Sequence, residues 1–198
     1  ATPVGSYEGI WFRSTDAGNV NRLDSIDEIK EIQRKIEGKP GSVISYDEKN
    51  VKRHAPQLLH STSIKTEARK RLGFGIEKTQ KVLQGVYDKG FCTYPRTSSR
   101  HLTINAADQL AVHLNSLRER SSLRDLFPEQ IQSLRGKTRF VDDQKATEHH
   151  AIVPTGLNPL DYQGTEKELT SDELKLYELI LRHTLAAHHP GGMDREVT

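Results

Sequence analysis

Between two predicted helices lies the stretch Gly90-Phe-Cys-Thr-Tyr-Pro-Arg-Thr-Ser-Ser-Arg100. Pro95 has no backbone N–H and disfavours helical geometry for the residue before it, so we expect Tyr94 on an extended connection just after a helix end. An arginine forks onto phosphate oxygens, hydroxyls complete their hydrogen bonds, and a phenol can act as a nucleophile. Tyr94, Arg96 and the hydroxyls that follow therefore suit chemistry on a phosphate. A loop whose tyrosine packs and whose arginine is solvated would show the same spacing.

The residues on both sides of this stretch have the periodicity of helices. Apolar positions predict four of them, over about 61–73, 77–89, 103–118 and 170–190. The first begins at Ser61, Thr62 or Ser63, and the last begins at the capping box Thr170/Glu173. Weaker helical signals cover 122–126 and 128–135. The inward-facing positions are Ile64, Ala68, Leu72, Thr79, Val82, Leu83, Val86, Tyr87, Ile104, Ala107, Leu110, Ala111, Leu114, Leu174, Tyr177, Ile180, Leu181 and Leu185.

The first 54 residues have a different pattern. Residues 7–14 and 42–54 favour strands, and Ser25 with Glu28 forms a capping box at the start of a helix whose apolar stripe is Ile26, Ile29, Ile32 and Ile36. The sequence therefore predicts a mixed, predominantly α fold. We divide it into a β-rich segment with one helix (1–54), a helical domain (55–188) and a return segment to the first unit (189–198).

The net charge of +2 is unevenly distributed. Residues 51–100 contain eleven lysines and arginines against three acidic residues, an excess that indicates a polyanionic partner or simply a solvated basic helix face. The single cysteine, Cys92, fits a reducing cytoplasm. No apolar run approaches the roughly 20 residues needed to cross a bilayer, and no signal peptide opens the chain.

Four stretches resemble one protein family. Tyr94-Pro-Arg-Thr-Ser-Ser-Arg100, which follows a predicted helix ending Val86-Tyr-Asp-Lys-Gly-Phe-Cys-Thr93, resembles the active-site signature of type IA DNA topoisomerases. Residues 55–63 and 71–79 are similar to the family's entry into its tyrosine-bearing domain and to the glycine-containing turn after its first helix. Residues 148–155 (Glu-His-His-Ala-Ile-Val-Pro-Thr) are similar to its histidine motif, in the form typical of topoisomerase III-like members. The resemblance covers most of the chain, with a looser match over 1–40 and 158–198.

The resemblance implies a role for several residues. Tyr94 would join the 5′ phosphate of a cut DNA strand and leave a free 3′ hydroxyl. Arg96 would stabilise the charge that develops on that phosphate, and His149 would hydrogen-bond the phosphate or the nucleophile. Thr97 and Ser98 would support the same group, although the family often has an acid where Ser98 stands. The candidates for further DNA contacts are Gln84, Lys65, Arg69 and Lys78.

The pair His149-His150 allows two other interpretations. Adjacent histidines can bind a metal, but no cysteine, histidine or aspartate partners lie at zinc-ligand spacing in the sequence. The pair can also be a plain surface or core feature.

The family fold implies a four-domain ring, of which this chain would hold the helical tyrosine-bearing domain and an incomplete β-rich arch. The Mg²⁺ that the family uses is held by acidic residues of another domain, and no Asp-x-Asp-x-Asp run occurs here. The chain begins without methionine and ends in a strand-like sequence, so we expect a fragment. Because the metal-binding domain would be missing, we expect this fragment to lack relaxation activity. The partners expected for the intact parent are single-stranded DNA and the parent's own remaining domains, with no membrane. We expect the parent in the cytoplasm, associated with the nucleoid, and we expect its reaction to need no ATP.

Two rival interpretations come from other classes. Residues 181–188 echo the arginine helix of tyrosine recombinases, but Leu179 stands where a histidine is expected and no tyrosine follows Arg182. A non-catalytic module of the same fold that binds single-stranded DNA or a protein is the other rival, and covalent attachment through Tyr94 would separate it from an enzyme.

Overall fold

The computed structural model describes residues 9–43, 45–119, 123–146 and 148–197. The chain forms two compact units, one of residues 1–48 with 197–198 and one of residues 49–196. Within the described ranges there are five α-helices and two sheets of two strands each. The predicted mixed, mainly helical composition is confirmed.

In the first unit, strand β1 (Arg13–Thr15) pairs antiparallel with strand β2 (Gly18–Val20). The strand predicted over 7–14 is wrong for residues 9–12, which form no strand, while Tyr7 and Glu8 lie outside the described residues. The tight turn at Asp16-Ala17 sets this hairpin, and Thr15 strengthens it by donating its hydroxyl to the Gly18 carbonyl at 2.6 Å. The turn chemistry, rather than the apolar run before it, therefore fixes where the ladder lies.

Helix α1 (Ile26–Ile36) begins at Ser25 as predicted, because the Ser25 hydroxyl accepts a hydrogen bond from the Glu28 amide at 3.1 Å. Its apolar stripe is mostly exposed, with Ile32 half-buried, and none of its residues is buried among the described parts of the unit.

The second unit contains the other helices. Helix α2 (Ser61–Leu72) ends at Gly73, whose φ of 69° lies in the left-handed region. The cap is His60 rather than one of the predicted hydroxyl residues: its Nδ1 accepts from the amides of Thr62 at 3.0 Å and Ser63 at 3.4 Å. Burial, together with the nearby Arg100 guanidinium, lowers the pKa of His60, which keeps Nδ1 available as an acceptor.

The remaining helices follow the predicted pattern. They are α3 (Ile76–Asp88), α4 (Ile104–Arg118) and α5 (Ser171–His188). The predicted capping box at the start of α5 is confirmed, since Thr170 and Glu173 exchange side-chain-to-amide hydrogen bonds.

Two weaker helical predictions were less accurate. The signal at 122–126 corresponds to one 3₁₀ turn, Arg124–Leu126, with Ser122 outside the described residues. Residues 128–135 form no helix, because this segment bonds to α4: Asn115 donates to the Ile131 carbonyl at 3.1 Å and Ser133 donates to Asp108 at 2.6 Å.

The core lies where α2, α3 and α5 pack together, with most of the predicted inward residues buried. Leu174 and Ile104 are exposed instead. At the start of α5 the inward position next to Leu174 is taken by Glu173. Strand β3 (Glu48–Arg53), shorter than the predicted 42–54, pairs with strand β4 (Gly192–Val197). No helix in the described ranges has the length and apolar character needed to cross a membrane.

Candidate functional site

The tyrosine segment follows directly from the end of α3. Gly90 has a φ of 86° and turns the chain, and Phe91 donates its amide to the Val86 carbonyl at 3.0 Å. Phe91 and Cys92 are buried, and Tyr94 follows outside any helix, as predicted. Burial raises the pKa of the Cys92 thiol to about 12, so this cysteine stays protonated at neutral pH. Cys92 is therefore unsuited to act as the nucleophile of this segment.

The histidine segment, residues 149–155, is bonded along the tyrosine segment. The hydroxyl of Thr93 donates to the Ala151 carbonyl at 2.9 Å and accepts from the Val153 amide at 3.0 Å. Thr155 donates its hydroxyl to the Gly90 carbonyl at 2.6 Å. Two stretches about sixty residues apart in sequence are thereby held side by side.

The same segment also contacts the entry to α2. Ile152 donates its amide to the Leu59 carbonyl at 2.8 Å, and Ser61 donates its amide to the Thr97 carbonyl at 2.9 Å. The entry to α2, the tyrosine segment and the histidine segment therefore meet in one place.

At this junction the rings of Tyr94 and His149 are in contact and tilted relative to each other. Their centroids are 4.1 Å apart with an interplanar angle of 37°. The ring of Tyr87, on α3, meets Tyr94 edge-on at 5.6 Å and 81°. Two of the three predicted catalytic residues are thus brought into contact by ring packing, with no hydrogen bond between them in the described part of the chain. Tyr87 was predicted only as an inward residue of α3.

Thr97 holds the histidine segment by its backbone. Thr97 is 3% exposed, and its hydroxyl donates to the His149 carbonyl at 2.7 Å and accepts from the Ser99 amide at 3.0 Å. Ser98 is exposed, so of these two predicted phosphate-supporting residues it is the one whose hydroxyl faces solvent. The geometry gives Thr97 a role in placing His149.

Beside the tyrosine segment, α2 and α3 border an open cavity of about 590 Å³. Three predicted site residues line it, Arg96, Lys65 and Gln84, and the other lining residues are Ser61, Gln80, Lys81, Leu83 and Pro95. Arg96, Lys65 and Lys81 form no ion pair with any described residue. Uncompensated cations around an open cavity favour an anionic ligand.

The remaining predicted contact residues lie outside this cavity. Arg69 is one turn further along α2 and borders a second, shallow pocket together with Lys65 and Lys70. Lys78 is paired with Asp172 at 2.8 Å and lies 4.2 Å from the centre of the Phe74 ring.

The structure adds residues that the sequence reasoning did not single out. Gln80 and Lys81 lie with the predicted Gln84 on the side of α3 that faces Arg96 and line the same cavity, a placement that their i, i+1, i+4 spacing allows. Gln84 is oriented by its amide, which donates to Asp88 at 2.8 Å. His150 bonds through Nδ1 to the Ala151 carbonyl at 2.9 Å.

Among the described residues, no three or more histidine, cysteine or acidic side chains cluster so as to hold a metal ion. The residues around Tyr94 therefore do not by themselves fit the Mg²⁺ that the family resemblance implies.

Comparison with known proteins identifies the family. A sequence profile described as DNA topoisomerase matches residues 8–195, so the chain belongs to this family, and the resemblance to type IA DNA topoisomerases is confirmed. DNA topoisomerase 3 of Staphylococcus epidermidis is 33% identical over 162 residues, which cover 80% of this chain and 22% of that protein. DNA topoisomerase 1 of Alkalihalophilus pseudofirmus is 28% identical over 184 residues, which cover 93% of this chain and 24% of that protein.

A solved structure shows the same fold. Full-length topoisomerase I from Thermotoga maritima matches with a TM-score of 0.55 and 23% identity, over 90% of this chain and 27% of that one. The chain spans about a quarter of the length of the curated relatives that it matches.

The Thr97 hydroxyl gives a direct test of this arrangement. Thr97→Val keeps the shape of the side chain but leaves the His149 carbonyl and the Ser99 amide without their partner, so the free energy of unfolding should fall by about 1–3 kcal/mol. Thr62→Val, on the exposed face of α2, is the matched control and should change it by less than about 0.5 kcal/mol. Urea unfolding followed by circular dichroism measures both; equal effects would contradict the assigned role of Thr97.

Proposed function

We propose that Tyr94 is the nucleophile of a protein that cuts and rejoins one strand of DNA. The phenol oxygen of Tyr94 attacks the phosphorus of a phosphodiester, the bond to the 3′ oxygen breaks, and the phenol proton is transferred so that a 3′ hydroxyl is left. The observation that carries the proposal is the placement of Tyr94 against His149, next to a cavity lined by Arg96. Reversal of the same step reseals the strand.

The residues around Tyr94 have different proposed roles in this reaction. Arg96 is exposed and unpaired in the described structure, so it is free to bind the phosphate and stabilise its developing charge. His149 is exposed beside Tyr94 and reaches the phosphate or the phenol oxygen by turning its ring. Ser98 offers a solvent-facing hydroxyl to the same group, and Thr97 supports the site through its bond to His149.

The substrate is single-stranded DNA, because the cut strand has to enter the cavity beside Tyr94. Lys65, Lys81 and Arg96 would contact its phosphates, Gln84 a base or sugar, and Arg69 the strand as it leaves along α2. A DNA contact by Lys78 requires that it exchange its ion pair with Asp172.

For the intact parent protein we propose the ring architecture of the family. Residues 55–188 form the tyrosine-bearing domain, and residues 1–54 and 189–198 belong to the arch. Another domain supplies the acidic residues for Mg²⁺, so the 198-residue chain alone lacks relaxation activity. Transesterification conserves the bond energy in the phosphotyrosine, so topology changes without ATP. The parent would act on the nucleoid in the cytoplasm.

The test of the nucleophile uses the intact parent, as wild type and as Tyr94→Phe. Each protein is mixed with 5′- or 3′-labelled single-stranded oligonucleotide and Mg²⁺, then stopped with denaturant. The wild type should trap only the fragment that carries the 5′ phosphate, and Tyr94→Phe should trap nothing because it has no attacking oxygen. Attachment through a 3′ phosphate would exclude the mechanism. If wild type binds the DNA but traps neither end, a non-catalytic binding module is the better description.

The cavity predicts how salt affects DNA binding by the 198-residue chain. Replacing Lys65 or Lys81 with methionine should weaken binding to single-stranded DNA and reduce the slope of log affinity against log salt by roughly 0.7 for each phosphate that is no longer neutralised. Lys175→Met removes an exposed charge from α5 and should leave the slope unchanged. Fluorescence anisotropy at several salt concentrations measures all three; the same slope change in Lys175→Met would mean that only net charge matters.

A further inference from the structure

A buried carboxylate lies at the start of α5. The Glu173 residue is 8% exposed, and its Oε2 accepts from the Thr170 amide at 2.8 Å and from Lys89 Nζ at 2.6 Å. Lys89 Nζ also donates to the Glu168 carbonyl at 2.8 Å. Burial favours the neutral acid, but the hydrogen bonds from Lys89 and Thr170 outweigh it and hold the pKa of Glu173 below its usual value. The Glu173 carboxylate is therefore charged at neutral pH and held through Oε2.

The backbone of α3 is shaped to admit this carboxylate. A Cβ atom on Gly85 would lie 2.1 Å from Glu173 Oε1, so any larger residue at this position would displace the Glu173 carboxylate from its place beside Lys89. Glycine inside a helix weakens the helix, which makes its presence at the start of the last turn of α3 informative. The close approach brings Glu173 within reach of Lys89, directly after the last residue of α3.

One turn further along α5, Tyr177 also contacts the residues next to the site. Its ring meets Phe91 edge-on, with centroids 5.9 Å apart, and its hydroxyl donates to the Leu157 carbonyl at 3.2 Å. Because Glu173 and Tyr177 are four residues apart, they lie on one face of α5. This face of α5 therefore contacts Phe91, which lies shortly before Tyr94, and Leu157, which lies shortly after the histidine segment.

We propose that Lys89 and Glu173 are positioning residues for the reaction at Tyr94. With Tyr177, their ion pair fixes where α3 ends and so sets the place of Tyr94 relative to His149. The role rests on the proposed function of Tyr94. A small displacement of a reacting group lowers the rate by up to about a hundredfold, so losing the pair should lower kcat while leaving the affinity for DNA intact.

The structure provides a matched control for this ion pair. Lys78 and Asp172 also join α3 to α5, at 2.8 Å, but their side chains are more exposed and lie far along α3 from the tyrosine segment. Asp172→Asn removes that pair and frees Lys78, so it should act on DNA binding alone and leave kcat unchanged. Lys89→Met and Glu173→Gln remove the proposed one, and Lys89→Arg retains it. Circular dichroism is used to check that each variant folds before its activity is compared.

The first measurement is oligonucleotide cleavage by the intact parent. Lys89→Met and Glu173→Gln should lower kcat by about ten- to a hundredfold with KM changed by less than about twofold. Lys89→Arg should recover most of the rate, and Asp172→Asn should have the kcat of wild type, with any change confined to KM. An unchanged kcat in Lys89→Met, or an equal fall in Asp172→Asn, would overturn the positioning role.

The second measurement needs no catalysis and uses the 198-residue chain. The nuclear Overhauser effect between the ring protons of Tyr94 and His149 should be present in wild type, Lys89→Arg and Asp172→Asn, and absent or weakened in Lys89→Met. If the effect persists unchanged in a folded Lys89→Met protein, the inference fails even if the parent cleaves DNA. If the effect disappears as expected but wild-type parent cleaves nothing, the proposed function fails and the positioning of Tyr94 stands.

Discussion

The site depends on hydrogen bonds between two segments that are far apart in sequence. Thr93 and Thr97 each use a side-chain hydroxyl to bind a backbone carbonyl of the histidine segment, and Thr155 returns such a bond to Gly90. Closing a chain of more than fifty residues costs conformational entropy, and leaving the buried bonds unmade would cost more, so the two segments keep one register. That register brings Tyr94 and His149 to the same place in the fold.

Local signals in the sequence account for most of the helices. Caps, glycine stops and apolar spacing lie within a few residues of the element that they define, which is why α3, α4 and α5 and the position of Tyr94 outside any helix were predicted. Contacts between distant residues were not predictable in this way. Examples are the Lys78–Asp172 pair, the bond from Thr97 to His149 and the bonding of residues 128–135 to α4. His60 was missed as a cap because histidine is a rarer choice than the serines and threonine beside it.

The residues that hold the site together are less exposed than the residues proposed to contact DNA. The threonines that hold the two segments together are buried or half-buried, whereas Arg96, His149 and Ser98 are exposed and Lys65 and Lys81 border an open cavity. Such a division suits a polyanionic strand that must enter, react and leave without disturbing the scaffold. Membership of the DNA topoisomerase family and the fold shared with the Thermotoga maritima enzyme agree with this arrangement.

The most direct test of the central claim is to locate the covalent bond on the protein. Trypsin cleaves after Lys89 and Arg96, so Tyr94 is the only tyrosine in the peptide Gly90–Arg96, while Tyr87 falls in the separate peptide Val82–Lys89. After the intact parent is trapped on a short oligonucleotide, mass spectrometry of its peptides should find the nucleotide on Tyr94, linked through a 5′ phosphate. A nucleotide on Tyr87 or on any other residue would contradict the account.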